Sequence, residues 1–222
     1  MKFYSSYFIF LCLVLLLSSC CKRAKHEAIV ESKDSQIRLL EGNKRYINSQ
    51  QFKSRKLSDR RTETAQTQKP FAAILSCSDS RVPPEVIFDQ GIGDLFVIRL
   101  AGNVLSDEGL ASLEYAVEHL GVTYIMVLGH ERCGAVNATV KGGPSHPGHL
   151  ESLIKAIKPA VEESKDKPGD ILDNAVKSNV SMVVKQLSSS EPVLKEFVKK
   201  GSLKIVGARY DLDDGMVEIL KP

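Results

Sequence analysis

The chain has no tryptophan, little net charge and no apolar run long enough to cross a bilayer. The formal charge over 222 residues is only +3, so composition gives no reason to expect nucleic acid as a partner. The apolar run Phe8 to Leu17 falls well short of the about 20 residues that a spanning helix needs. Cysteine is scarce outside the first 21 residues: Cys12, Cys20 and Cys21 lie there, and only Cys77 and Cys133 follow. That excludes a framework of several disulfides and leaves one possible Cys77–Cys133 bridge as the plain reading of an exported protein.

At the N-terminus, Lys2 supplies a positive n-region, Phe8 to Leu17 an apolar h-region, and Leu17-Ser18-Ser19-Cys20 follows. This order resembles a bacterial lipoprotein signal, in which the cysteine becomes the lipidated first residue. It implies a signal peptide over residues 1–19, lipidation of Cys20 and a tether over 20–33. It also implies attachment to a membrane of the bacterial cell envelope, on the periplasmic side or at the cell surface. An ordinary signal peptide cut near Ser19, or an uncleaved short anchor, is the blander reading of the same run. The 43% of hydrophobic residues suffices for one domain with a sizeable core, over residues 34–222.

Within that domain a helical pattern starts at Asp34, with Ile37, Leu40, Tyr46 and Ile47 recurring on one side. Lys53 to Arg61 is basic and reads as a solvated face or a contact for acidic lipid headgroups. Phe71 to Leu75 is apolar throughout, as a strand covered on both faces should be, and Asp94 to Leu100, Thr123 to Leu128 and Leu203 to Ala208 read as three further strands. Helical patterns alternate with them: one capped by Ser106 and ended by Gly121, then Leu150 to Val161, Asp170 to Leu187 and Pro192 to Lys199. Met216 to Leu220 can return as an edge strand after the polar turn Asp211 to Gly215. The fold class is α/β: a mostly parallel four-stranded sheet with an antiparallel C-terminal edge strand, flanked by helices. Ligands of such sheets bind beyond the carboxyl ends of the strands. Cys77 and His130 both stand at such ends.

Cys77, His130 and Cys133 offer three ligands to zinc, which takes Cys sulfur and His nitrogen and usually wants four. A fourth protein ligand makes such a site structural; a water makes it catalytic. Asp79 is near enough in sequence to take the fourth position, and Arg81 near enough to hold Asp79 away through a bidentate pair. The residues thus allow two states, with Asp79 on the metal or on the arginine. A phosphatase loop is excluded, because Ser78, Asp79 and Ser80 are too few residues between its cysteine and arginine.

Cys77-Ser78-Asp79-Ser80-Arg81 and Gly129-His130-Glu131-Arg132-Cys133-Gly134 together resemble the β-class carbonic anhydrases. So do Gly93 to Arg99, Ala101-Gly102-Asn103, Ser112 to Val117, and Val206 to Asp211 with Gly215 just beyond. The resemblance implies one zinc ion on Cys77, His130 and Cys133. It implies reversible hydration of carbon dioxide to bicarbonate and a proton, with a zinc-bound hydroxide as nucleophile, oriented by Asp79 paired with Arg81. Gln68 matches a glutamine that helps hold substrate, and Gly134 a glycine whose backbone N–H faces it. Phe96 and Tyr115 match aromatic residues that reach the pocket from across a dimer interface, so a homodimer or a higher even oligomer is implied. Ile74 stands where some bacterial relatives carry a tryptophan of an inhibitory bicarbonate pocket, so that pocket is not expected here.

Two other functions fit the same residues. One is a zinc hydrolase of a carbon dioxide analogue such as carbon disulfide or carbonyl sulfide. The other is a non-catalytic zinc-binding lipoprotein with Asp79 closing the site. His119, on a helix beside Leu120, reads as a surface or packing residue. His146 and His149, in or beside a Gly/Pro loop, could shuttle protons but read first as ordinary surface histidines.

Overall fold

Five strands form the sheet of the computed structural model, which describes residues 31–50, 57–142 and 148–221. They are β1 (Ala72–Ser76), β2 (Leu95–Arg99), β3 (Tyr124–His130), β4 (Lys204–Tyr210) and β5 (Val217–Ile219). Their order across the sheet is β2-β1-β3-β4-β5. The first four are mutually parallel and β5 runs antiparallel to β4. Eight α-helices among the described residues surround them. These are α1 (residues 31–47), α2 (Leu57–Thr64), α3 (Pro84–Ile87), α4 (Asp107–Glu118), α5 (Gly134–Lys141), α6 (Leu150–Ser164), α7 (Ile171–Ser189) and α8 (Leu194–Lys200).

Every residue of β1 and β3 is buried, because helices cover both faces of the sheet. Successive side chains alternate between those faces. Ala73 and Leu75 of β1 and Ile125 and Val127 of β3 pack with Leu113, Ala116 and Val117 of α4 and Val180, Val183 and Leu187 of α7. Ala72, Ile74, Tyr124, Met126 and Leu128 point the other way, onto Leu39 of α1 and Ile87 and Phe88 at α3. Burying Ile74 alone stabilises by about 1.5–3 kcal/mol, and its neighbours in sequence are held equally on the opposite face. A one-residue slip of β1 would exchange the two sets.

Two glycines set α7 close to the sheet. A Cβ on Gly129 of β3 would lie 2.5 Å from Val180, and one on Gly207 of β4 2.6 Å from the same side chain. Only glycine permits that approach. It brings the N-terminal half of α7 against the end of β3 that carries His130.

The strand expectations hold to within two residues, and Ser106 caps α4 by accepting from the Gly109 N–H at 3.1 Å. The start of the domain differs. α1 is already helical at residue 31, with Ser32 buried, rather than beginning at Asp34. Its inner face is not the expected apolar stripe: Ile37 and Ile47 are exposed, and Ser35, Leu39, Gly42 and Asn43 face the domain. The reason is close polar packing. Ser35 donates to the Phe71 carbonyl, and Asn43 donates to the Gly215 carbonyl and accepts from the Val217 N–H. A Cβ on Gly42 would collide with the Phe88 carbonyl. The basic run holds α2, an unexpected helix with no buried residue. The signal peptide, residues 20–30 of the tether, Cys20 and His146 lie outside the described residues.

Candidate active site

β1 and β3 are direct neighbours, and the register that places Ser76 beside Leu128 brings Cys77, one residue beyond β1, next to the end of β3. His130 is the last residue of β3, and Cys133 is the N-cap of α5. Between them Arg132 adopts a left-handed backbone, φ 50°. That sharp turn lets the two side chains of the His-x-x-Cys run face one point. The Cys77 and Cys133 sulfurs and a His130 ring nitrogen all lie within 4.8 Å of one another, and all three residues are buried. Both cysteines are free thiols, which disposes of the disulfide reading.

The donor set fits zinc. The Nδ1 of His130 lies 2.8 Å from the Glu131 carbonyl, so that nitrogen carries the proton and donates. Its Nε2 is then a lone-pair acceptor, fully buried and without a hydrogen-bond partner among the described residues. A buried acceptor left unmatched is destabilising, unless something electron-poor is meant to meet it. The sulfurs tell the same story. The Cys133 thiol beside Cys77 holds Cys77 below the usual thiol range, while the same contact and burial push Cys133 far up. Two sulfurs this close carry two negative charges only with a cation between them. The Gly102 N–H donates to the Cys77 sulfur at 3.2 Å. The N–H groups of Ala135 and Val136, at the start of α5, favour the Cys133 thiolate.

Asp79 stands at the edge of this group, with Oδ2 3.8 Å from His130 Nε2. Arg81 holds it through two side-chain bonds, Nε to Oδ1 at 2.9 Å and Nη2 to Oδ2 at 2.8 Å, and a third from its backbone N–H. These bonds keep the Asp79 carboxyl well below the usual carboxylate range. In this conformation both oxygens of Asp79 are engaged by Arg81.

The four residues expected to line the substrate fall into two places. Gly134 lines an apolar pocket of about 280 Å³ with Ala101, Ala135, Ala138, Leu150, Leu153 and Ile154. Gln68 and Tyr115 line another hollow, of about 660 Å³, with Thr64, Ile92, Gly93 and Leu95. The Phe96 ring lies tilted against Tyr115, centroids 6.3 Å apart, and the His119 ring lies tilted against Tyr115 at 5.1 Å. None of the three candidate ligands lines either hollow; the first adjoins them through Gly134, the residue after Cys133.

Other residues hold the site without having been singled out in the sequence. Arg99, at the end of β2, donates to the carbonyls of Cys77 at 3.0 Å and Asp79 at 2.5 Å, and so fixes the loop between them. A lone arginine closing an apolar strand was the available signal. Asn179, fully buried in α7, donates to the Gly102 carbonyl at 2.8 Å and steadies the turn whose N–H meets Cys77. Its signal was one amide within an otherwise aliphatic stripe. Arg209 bonds Asp173 and Asp211 and lies 3.9 Å from Glu131, which ties the His130 turn to the end of β4 and the start of α7.

Comparison with known proteins agrees with this geometry. The carbonic anhydrase family model matches residues 72–217. Carbonic anhydrase 2 of Mycobacterium tuberculosis is 39% identical over 180 residues, which cover 80% of this chain and 87% of that protein. The β-carbonic anhydrase of Coccomyxa, solved with acetazolamide, superposes with a TM-score of 0.67 at 28% identity, covering 73% of this chain and 77% of that one. A tetrameric β-carbonic anhydrase of Sordaria macrospora gives a TM-score of 0.64 at 26% identity, covering 72% and 85%.

Proposed function

The chain belongs to the β class of the carbonic anhydrase family, and we propose that it interconverts carbon dioxide and bicarbonate with the Asp79–Arg81 pair beside a zinc ion on Cys77, His130 and Cys133. The observation that carries this reading is the buried, partnerless His130 Nε2 facing two sulfurs, with an ionised Asp79 3.8 Å away. Bound zinc supplies Lewis acidity and lowers the pKa of a water molecule, less strongly here than with neutral ligands, because two thiolates cancel its charge.

The protein's own groups do the rest. Asp79 accepts a hydrogen bond from the attacking water and turns its lone pair toward the substrate carbon. Arg81 keeps that carboxylate ionised and turned from direct ligation. The apolar pocket beside Gly134 suits carbon dioxide, which has no charge to solvate. The product is an anion, which Arg81 and the N–H groups at the start of α5 can receive. One proton leaves for each bicarbonate formed. With both oxygens of Asp79 on Arg81, the catalytic reading is favoured over a closed structural site.

Gln68, Phe96 and Tyr115 enter the same scheme through a second copy of the chain. β2 is the outermost strand, and all five of its residues are half-buried. An apolar edge of this kind invites pairing, and a partner joined there would bring its Phe96 and Tyr115 to this chain's pocket. Sedimentation showing a stable monomer at assay concentrations would sink the shared pocket. We further propose that Cys20 carries the lipid that holds the protein in the cell envelope. Unchanged membrane retention of Cys20→Ser would count against it.

The activity itself is tested by stopped-flow carbon dioxide hydration on protein of measured zinc content. Hydration that slows as pH falls is expected. A folded, zinc-loaded protein inactive at alkaline pH would leave the non-catalytic reading standing.

A further inference from the structure

Two exposed guanidiniums flank the metal ligands. Arg81 follows Asp79, and Arg132 sits between His130 and Cys133 in the chain. Each grips one carboxylate through two N–H donors. Arg81 holds Asp79, and Arg132 holds Asp213, with Nη1 to Oδ2 at 3.0 Å and Nη2 to Oδ1 at 2.7 Å. The two cations repel one another: the Arg132 charge acts against that of Arg81. Glu131 also lies 3.3 Å from Arg132, and the charge of Asp211 is felt there.

The two gripped carboxylates are not equivalent. The Asp79 side chain is 17% exposed and takes a further bond from the Arg81 backbone N–H. The Asp213 side chain is 72% exposed. The loop that carries it is built by other aspartates: Asp211 accepts from the N–H groups of Asp213 and Asp214, and Asp214 accepts from the Met216 N–H. The Asp213 carboxylate is thus spent on Arg132, in an exposed pair of the kind that contributes little and exchanges readily. A guanidinium fork that fits a carboxylate edge also fits bicarbonate, which presents the same O–C–O edge and the same charge.

We propose that Arg132 is a receiving site for bicarbonate beside the metal centre, with Asp213 as the internal occupant that the anion displaces. The proposal rests on the reading that bicarbonate is made and consumed here. It explains why a residue between two metal ligands is an arginine held by so exposed a partner. No bond is made or broken; one anion replaces another on the fork.

The test compares zinc-loaded wild type with Arg132→Gln and Asp213→Asn. Two quantities are read: the bicarbonate concentration that halves the initial rate of carbon dioxide hydration, and the rise in melting temperature on adding bicarbonate at constant ionic strength. Arg132→Gln should raise the half-inhibiting concentration about three- to tenfold, as loss of a charged hydrogen-bond pair does, and shrink the melting shift. Asp213→Asn should do the reverse, since it frees the fork. Opposite signs are the signature, because a merely structural pair would move both variants the same way. Shifts of one sign, or none in either variant, would overturn the proposal. Arg132→Lys keeps the charge without the fork and should restore less than half of the loss; full restoration would overturn fork recognition. A wild type unable to hydrate carbon dioxide would defeat the proposed function alone, and the melting shifts would still decide the role of Arg132.

Discussion

Cys77, His130 and Cys133 form one group of ligand atoms within 4.8 Å of one another, and Glu131, Asp211 and Asp213 form another close by. Distance does not separate them; what surrounds them does. The first group is buried, its sulfurs depend on one another for a proton, and His130 Nε2 has no partner. In the second, every carboxylate is already served. Asp211 accepts from Arg209 and the Asp213 N–H, Glu131 from the Leu212 N–H, and Asp213 from Arg132. A cation entering the first group relieves an unmet demand. In the second it would have to displace arginines. Clusters of potential ligands are common; a metal site is one that the chain itself leaves unsatisfied.

Substitutions can break that contrast or sharpen it. The largest effect belongs to the first group. Cys133→Ser should empty the site and lower carbon dioxide hydration on the order of a thousandfold or more, read by metal analysis and stopped-flow kinetics on the same sample. Full zinc content with full activity would break the contrast. Next is Asp79→Ala, which should lower hydration about a hundred- to a thousandfold while zinc is kept. Loss of the metal instead would make Asp79 a ligand.

Arg209→Met removes the cation that neutralises the second group. It should cost about 2 kcal/mol at neutral pH, measured by urea unfolding, with zinc content unchanged. Burial pushes Asp173 up, but its bonds to Lys177 and Arg209 outweigh that and hold it below the usual range. The Asp213 backbone N–H and then Arg209 do the same for Asp211. Groups whose folded values lie below the unfolded ones stabilise fully above the unfolded carboxylate range. That stabilisation is lost as pH falls through the folded values. The gap between wild type and Arg209→Met should therefore narrow in acid; a gap that widened would show the network to be uncoupled from these carboxylates. The smallest effect is that of Asp213→Asn, within about 0.5 kcal/mol in stability and with zinc content unchanged. Zinc loss in that variant would mean that the acidic group supports the metal after all.

Much of the fold was legible because buried parallel strands are written as short apolar runs, and Phe71 to Leu75 and Thr123 to Leu128 are found where expected. α1 departs from its apolar pattern because it packs through Ser35, Gly42 and Asn43. Periodicity of apolar residues is blind to a helix seated by hydrogen bonds and a glycine contact. The closeness of His130 to Cys133 and of Asp79 to Arg81 could be read from spacing alone. Arg99 and Asn179 could not, since each acts on backbone atoms of a segment distant in sequence. The grouping of Gln68 and Tyr115 in a hollow apart from the ligands was equally invisible.

By itself the sequence determined the chemistry that lies within a few residues: a thiol two places from a carboxylate and four from a guanidinium, and an imidazole three places from a second thiol. Such spacings constrain local geometry whatever the rest of the chain does. The tertiary structure alone decided that β1 lies between β2 and β3, so that Cys77 meets His130. It also decided that α7 settles onto Gly129 and Gly207, and that Asp213 reaches Arg132. Strand order and helix seating follow from which apolar surfaces bury one another across many intervening residues, and no local pattern carries that information.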